Sequence, residues 1–223
     1  ILMDLNPDLH TIQACLLHDV IEDTPKDYWD IEEDFWKEVA YLCGWMEKLS
    51  KVKYKWEERT IWSLRKMFVA MSEDIRVIFI KLSDRLHNMR TLKFHPKKEK
   101  QQRIALETLN IYSPIADRLG LHKIKNLLDE ECFKILNQYD YNKVKKELST
   151  LSGSMKEFRD NAKKEIDKLL VWTWVNYEVQ FRVKSIYSIH NKMLKKWIES
   201  ASELYDIYWV KILVPDIENC YRV

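Results

Sequence analysis

The chain has 223 residues, 46% of them hydrophobic and 32% charged, which is enough for one large domain or two small ones with real cores. Its 37 Lys and Arg against 35 Asp and Glu leave a formal charge of +2, so no global basic field argues for nucleic acid, and no apolar run approaches the ~20 residues of a membrane span. The first residues lack the basic start and apolar core of a signal peptide, and Cys15, Cys43, Cys132 and Cys220 show no CxxC spacing, which suits reduced thiols in a cytoplasm.

Taken in chain order, Leu9, Ile12, Leu16 and Val20 recur near helical spacing and predict a helix over 8–24, ended by Thr24-Pro25. Ile31, Phe35, Val39 and Leu42 repeat the pattern over 30–50. Two more helices are predicted over 57–72 and 74–92, before His95-Pro96 breaks the run. Helices over 98–118, 120–137 and 140–170 follow, with Gly120 and Gly153 marking joints. The texture changes near Val171. A β-branched and aromatic stretch predicts a strand over about 172–182. KSIYSIHNKMLKKW reads as a helix and LYDIYWVKILV as a second, buried strand. The expectation is a mainly α protein, all-helical to about residue 150 and α/β beyond, with domains over 1–150 and 151–223.

The chemistry concentrates in LLHDVIEDT and KLSDRLHNMRTL. On a continuous helix His18 and Asp19 point about 100° apart, so both reach one ion only from the rim of a site between helices. Glu22 lies four residues after His18, and Asp23 four after Asp19. Asp84 sits on another helix with Asn88 at i+4 and Thr91 beyond it. An imidazole among carboxylates is the donor set of a divalent ion that activates water and grips phosphate oxygens. A bare His-Asp pair is more often a surface pair or a satisfied core group. Against that, His18 follows Ala14-Cys15-Leu16-Leu17 and Asp84 lies between Ile78-Phe79-Ile80 and Leu86, and a charge in apolar surroundings needs a partner or a metal. On chemistry alone the two accounts balance.

LLHDVIEDT, KLSKV, LRKMFVAMSEDIRVIFIKLSDRLHNMRTL and ETLNIYSPIADRLGLHKIKNLLDEECF closely resemble, in collinear order, the N-terminal region of the long RelA/SpoT homologues, bacterial enzymes that make and degrade (p)ppGpp. The resemblance implies an all-helical HD-type hydrolase domain that binds Mn²⁺ and removes the 3′-pyrophosphate of ppGpp. It implies His18, Asp19 and Asp84 as metal ligands and Glu22 and Asp23 as the residues that position or activate water. It further implies Asn88 and Thr91 as nucleotide contacts, and Lys48 as a phosphate contact. The family's further metal histidine, in a His-Pro motif, would precede Ile1. Intact His-Asp and Glu-Asp pairs favour a hydrolase-competent, bifunctional SpoT/Rel-type member.

FRVKSIYSIHNKM followed by ELYDIYWVKILV resembles the start of the family's synthetase domain, an α/β nucleotidyltransferase-like fold, which the resemblance implies is incomplete here. It implies Arg182, Lys184, Ser188 and Lys192 as nucleotide-binding residues and Asp206 as an Mg²⁺ ligand, with pyrophosphate passing from ATP to GDP or GTP. Phe181, Trp209 and Lys211 depart from the family's Gly, small residue and Arg, and Trp209 is expected to crowd the core. Two alternatives stand beside this: a nucleotide-sensing, catalytically inactive synthetase domain, and an HD phosphohydrolase acting on another nucleotide. The partners implied are guanine nucleotides and ATP in a bacterial cytoplasm. Ribosome and tRNA contacts belong to C-terminal regions of the family, and no membrane is expected.

Overall fold

A computed structural model describes residues 1–50, 65 and 67–223. Contacts divide the chain into two compact units, residues 1–136 and 137–223. The expected boundary after residue 150 lies within the helix that opens the second unit.

Among its described residues unit 1 is all-helical. Its elements are α1 (Leu9–Leu17), α2 (Val20–Asp23), α3 (Tyr28–Asp34), α4 (Lys37–Ser50), α5 (Ile75–Thr91), α6 (Lys98–Glu107), α7 (Ser113–Arg118) and α8 (His122–Leu136). The predicted helix over 57–72 lies mostly outside the described residues; 67–73 is helical. The predicted helix over 98–118 is split by a π-helical segment, Thr108–Tyr112. Asp8, Asp27 and Asp74 cap α1, α3 and α5 by accepting first-turn N–H groups.

The central helix is α5, which is buried on two faces. Ile78, Leu82, Leu86 and Met89 join a cluster with Ile111, Leu128 and Cys132. Val77 and Ile80 join a second cluster with Ala14, Val39 and Leu42. Asp84 continues the Val77–Ile80 stripe at helical spacing, so it faces α1. One step round the helix, the largely buried Arg85, its side chain 15% exposed, donates to Glu107 (2.9 Å) and to the Tyr112 hydroxyl (2.6 Å). That pair ties α5 to α6 and the π segment, and removing one partner would strand a charge.

Unit 2 begins with α9 (Gln138–Leu170), which runs 33 residues straight through Gly153. Strands β1 (Glu178–Val183) and β2 (Tyr208–Leu213) pair antiparallel, with α10 (Ile186–Lys196) between them and α11 (Ile217–Arg222) last. A small core joins Val144 of α9 to Ile189, Met193, Leu204 and Ile207. The first predicted strand starts later than expected, because 171–173 form a 3-10 turn. The second is not a buried central strand. It alternates, with exposed Trp209 and Lys211 on one face of a two-stranded sheet. Trp209 therefore does not crowd a core. It lies opposite Arg182, whose guanidinium carbon sits 5.3 Å from its ring centroid.

The chain has only 3 glycines, and tryptophan occupies two left-handed positions that glycine usually takes, Trp174 and Trp197, each at φ 55°. Trp197 closes α10 while its side chain is 94% exposed, so little packing offsets the left-handed strain. Trp197→Gly is expected to stabilise unit 2 by about 1 kcal/mol, seen as a higher denaturant midpoint at unchanged slope. An unchanged or lower midpoint would refute this.

Candidate active site

The predicted single helix over 8–24 is broken where the chemistry lies. His18 is the C-cap of α1, Asp19 follows in a turn, and the Asp19 carbonyl accepts the N–H groups of Glu22 (3.1 Å) and Asp23 (2.8 Å) to restart the helix as α2. The break replaces the spacing of a continuous helix. It lets two adjacent side chains turn toward one point.

That point is His18 Nε2. It lies 3.2 Å from Asp19 Oδ2 and 3.5 Å from Asp84 Oδ1. The opposite nitrogen, Nδ1, donates to the Cys15 carbonyl at 2.7 Å. A carbonyl can only accept, so Nδ1 carries hydrogen and, in the neutral ring, Nε2 presents its lone pair. Nε2 is buried with no aligned hydrogen-bond partner among the described residues. A lone pair facing two carboxylates is a gap that favours a cation.

A proton is one such cation. The approach of the Asp84 carboxylate raises the His18 pKa against the opposing effect of burial, helped by the Cys15 carbonyl and the Asp19 charge. Burial pushes Asp84 up, but His18 and Lys81 outweigh it and bring its pKa down to about 2. A divalent metal is the other. Bonds of ~2.1 Å from one ion to N and O donors subtend donor–donor edges of ~3.0–3.5 Å, which matches both observed separations. Among the described residues no group of three His, Cys, Asp or Glu side chains, this one included, is already arranged as a metal-binding set, so the three donors would have to draw in around an ion.

Asp84 is otherwise fully engaged. Asn88 Nδ2 donates to its Oδ1 at 2.6 Å, as i+4 spacing predicts, and Lys81 Nζ contacts its Oδ2 at 3.0 Å. Thr91 Oγ1 donates locally, to the Asn88 carbonyl at 3.1 Å. Glu22 and Asp23 are exposed on α2, and their carboxylates make no ion pair with the His18 cluster among the described residues. Lys48 lies over the Trp45 ring at 4.7 Å, in α4. A cavity of about 470 Å³ opens at the cluster, lined by Ile12, Cys15, Leu16, His18, Asp84 and His87. Sequence reasoning missed Lys81 and the Cys15 carbonyl. The i−3 spacing to Asp84 signals the former, but a main-chain acceptor has no side-chain signature.

In unit 2, Lys184 and Lys192 both reach Asp206 Oδ2, the former at 2.6 Å. Asp206 is not in a strand, as expected, but in the turn before β2, and it is half-exposed. The two ammoniums, Lys184 first, hold its carboxyl well below the usual range. Ser188 closes the α10 N-terminus with Ser185 at 2.8 Å. Arg182 stands apart, over Trp209.

Residues 1–122 match the HD domain family model. The chain belongs to the HD domain family. Over its whole length the chain is also similar to part of several longer bacterial proteins. It is 44% identical over 225 residues to the bifunctional (p)ppGpp synthase/hydrolase SpoT of Escherichia coli (strain K12), covering 100% of the chain and 32% of that protein. The guanosine-3′,5′-bis(diphosphate) 3′-pyrophosphohydrolase of Aquifex aeolicus (strain VF5) is 39% identical over 223 residues, covering 100% and 32%. The GTP pyrophosphokinase of Streptomyces coelicolor is 38% identical over 221 residues, covering 99% and 26%. The HD chain thus spans about a third or less of the length of these relatives.

A raised His18 pKa stabilises the fold below the unfolded histidine value of ~6.5, and the gain is lost as pH rises through the folded value. In metal-free protein, His18 should titrate above ordinary histidine by imidazole NMR, and Asp84→Asn should bring it down. A wild-type His18 titrating at or below the ordinary value would contradict the geometry.

Proposed function

We propose that unit 1 is a metal-dependent hydrolase that removes the 3′-pyrophosphate of (p)ppGpp, giving GDP or GTP and pyrophosphate, with Mn²⁺ as its cofactor. The observation that carries this reading is the buried His18 Nε2, unpartnered between Asp19 and Asp84. The names carried by the relatives supply the substrate. His18, Asp19 and Asp84 would hold the ion, and a mixed N and O set suits Mn²⁺. When bound, it supplies Lewis acidity to phosphoryl oxygens and lowers the pKa of water.

The chain's own residues do the rest. The Cys15 carbonyl keeps the proton on Nδ1, so Nε2 remains a donor of electrons. Asn88 and Lys81 hold both Asp84 oxygens in place. Glu22 and Asp23 on α2 are the carboxylates we assign to orient water and take its proton. Asn88 and Thr91, one turn apart on α5, are assigned to the nucleotide, and Lys48 to phosphate.

For unit 2 we infer a nucleotide site in which Lys184, Lys192, Ser188 and Arg182 meet the phosphates of ATP and Asp206 meets Mg²⁺. In a whole bifunctional protein it would transfer pyrophosphate to GDP or GTP. Two observations favour the second reading, a nucleotide-sensing domain without transfer: Asp206 is already paired with two ammoniums, and Arg182 is held on an indole. These substrates set the protein in a bacterial cytoplasm.

Turnover of ppGpp with Mn²⁺ tests the hydrolase. His18→Ala and Asp84→Ala should each lower it by about 100-fold or more, and wild-type rates in either would refute the assignment. The same assay with ATP, GDP and Mg²⁺ separates the readings of unit 2. Product that Lys192→Ala abolishes supports transfer, whereas binding of GDP and an ATP analogue without product supports sensing.

A further inference from the structure

We propose that Arg76 is a positioning residue for the His18–Asp84 site, acting from the far end of the two helices that carry it; the inference rests on the metal reading above. Arg76 joins three helix N-termini. Its Nε lies 3.0 Å from both oxygens of Asp74, the N-cap of α5. Its Nη1 lies 3.2 Å from Asp8 Oδ2, the N-cap of α1. Its Nη2 lies 2.6 Å from Glu38 Oε1, in the first turn of α4. His10 of α1 adds a parallel tie, with Nδ1 2.9 Å from Glu38 Oε2. Every nitrogen of the guanidinium is used, a fork that lysine cannot reproduce.

The spacing gives this clamp its reach. Asp8 lies ten residues before His18, and Asp74 ten residues before Asp84. At ~1.5 Å rise per residue, each helix carries its N-cap's position ~15 Å along to the site. The two helices are not held equally. The α5 helix is buried along its length, with Val77, Ile78, Ile80, Leu82, Leu86 and Met89 all in the core. The α1 helix has nine residues and fully buries only Thr11 and Ala14, with Cys15 and Leu17 partly buried against the core, while Leu9 and Leu16 are exposed. Packing alone therefore sets α1's axial position weakly. The Asp8 oxygen that meets Arg76 also accepts the Thr11 hydroxyl at 2.9 Å, and its other oxygen accepts the Thr11 N–H at 2.8 Å, so the cap and the clamp share one carboxylate. A lone exposed ion pair contributes little, but a multidentate network at three dipole ends fixes geometry. A slide of α1 by even 1 Å would take His18 Nε2 off the edge length that a shared ion requires.

The test is Mn²⁺ affinity by calorimetry on wild type, Arg76→Gln, Arg76→Lys and Asp8→Asn, with hydrogen exchange on the metal-free proteins. Asp8→Asn keeps the N-capping oxygen and replaces the oxygen that meets Arg76 and the Thr11 hydroxyl with an amide nitrogen that can accept from neither, so it decides the matter if Arg76→Gln fails to fold. The expected result is Mn²⁺ binding weakened about tenfold in Arg76→Gln and Asp8→Asn and less in Arg76→Lys. Exchange should quicken in α1 and stay unchanged in the buried α5. Wild-type Mn²⁺ affinity in a folded Arg76→Gln or Asp8→Asn would overturn the clamp. So would faster exchange spread evenly over both helices, which marks a merely structural role. A wild type that binds no Mn²⁺ overturns the metal reading and the clamp with it, whereas loss in the variants alone upholds both.

Discussion

A single hydrogen bond, from His18 Nδ1 to the Cys15 carbonyl, settles which face of the imidazole meets the carboxylates. Without it the ring could carry its proton on either nitrogen, and Nε2 would be as ready to donate as to accept. With it, Nε2 is left as an acceptor between Asp19 and Asp84, and the site acquires a demand for positive charge. The acceptor is the main chain of α1's last turn, where helices leave their carbonyls unsatisfied. The end of the helix and the aim of the catalytic candidate are thus one feature. The interruption after Leu17 turns Asp19 onto the same point, although an unbroken helix would have splayed the pair.

The rest of unit 1 serves that demand by holding Asp84 still. Helix α5 is buried on two faces and anchored on a third by the bonds from Arg85 to Glu107 and Tyr112. Its carboxylate is only 9% exposed, while Asp19 is 59% exposed. One wall is therefore rigid and dry and the other meets solvent, a reasonable arrangement for a polyanionic substrate that must enter and leave. Unit 2 solves its charge problem differently. Asp206 is partly solvated and neutralised within its own unit by Lys184 and Lys192. One unit presents an unmet need for a cation, and the other a need already met.

Much of this was legible in the sequence where periodicity governs. The mainly α reading, the change of texture near Val171 and the Asp84–Asn88 pairing all follow from side-chain spacing. What escaped lies where the backbone departs from regularity. The apolar pattern continues smoothly from Leu16 to Val20, so nothing in it marks the break at His18. Gly153 read as a joint because glycine usually punctuates helices, yet α9 runs through it. The π segment at 108–112 leaves no spacing signal, since it adds a residue to a turn without changing its polarity. Asp206 read as a strand residue because apolar neighbours flank it, whereas it ends a turn where two lysines from α10 and its approach can reach it. Trp209 read as a core intruder. Alternation along a two-stranded sheet places it outside, against Arg182.

The central claim is that His18, Asp19 and Asp84 share one divalent ion. Crystals grown with Mn²⁺ and measured near the manganese absorption edge test it most directly. The account predicts an anomalous peak ~2.1–2.2 Å from His18 Nε2 and within bonding distance of a carboxylate oxygen of both Asp19 and Asp84. No peak there at saturating Mn²⁺, with Nε2 still between the two carboxylates, would mean that a proton alone fills the gap and that the metal account is wrong.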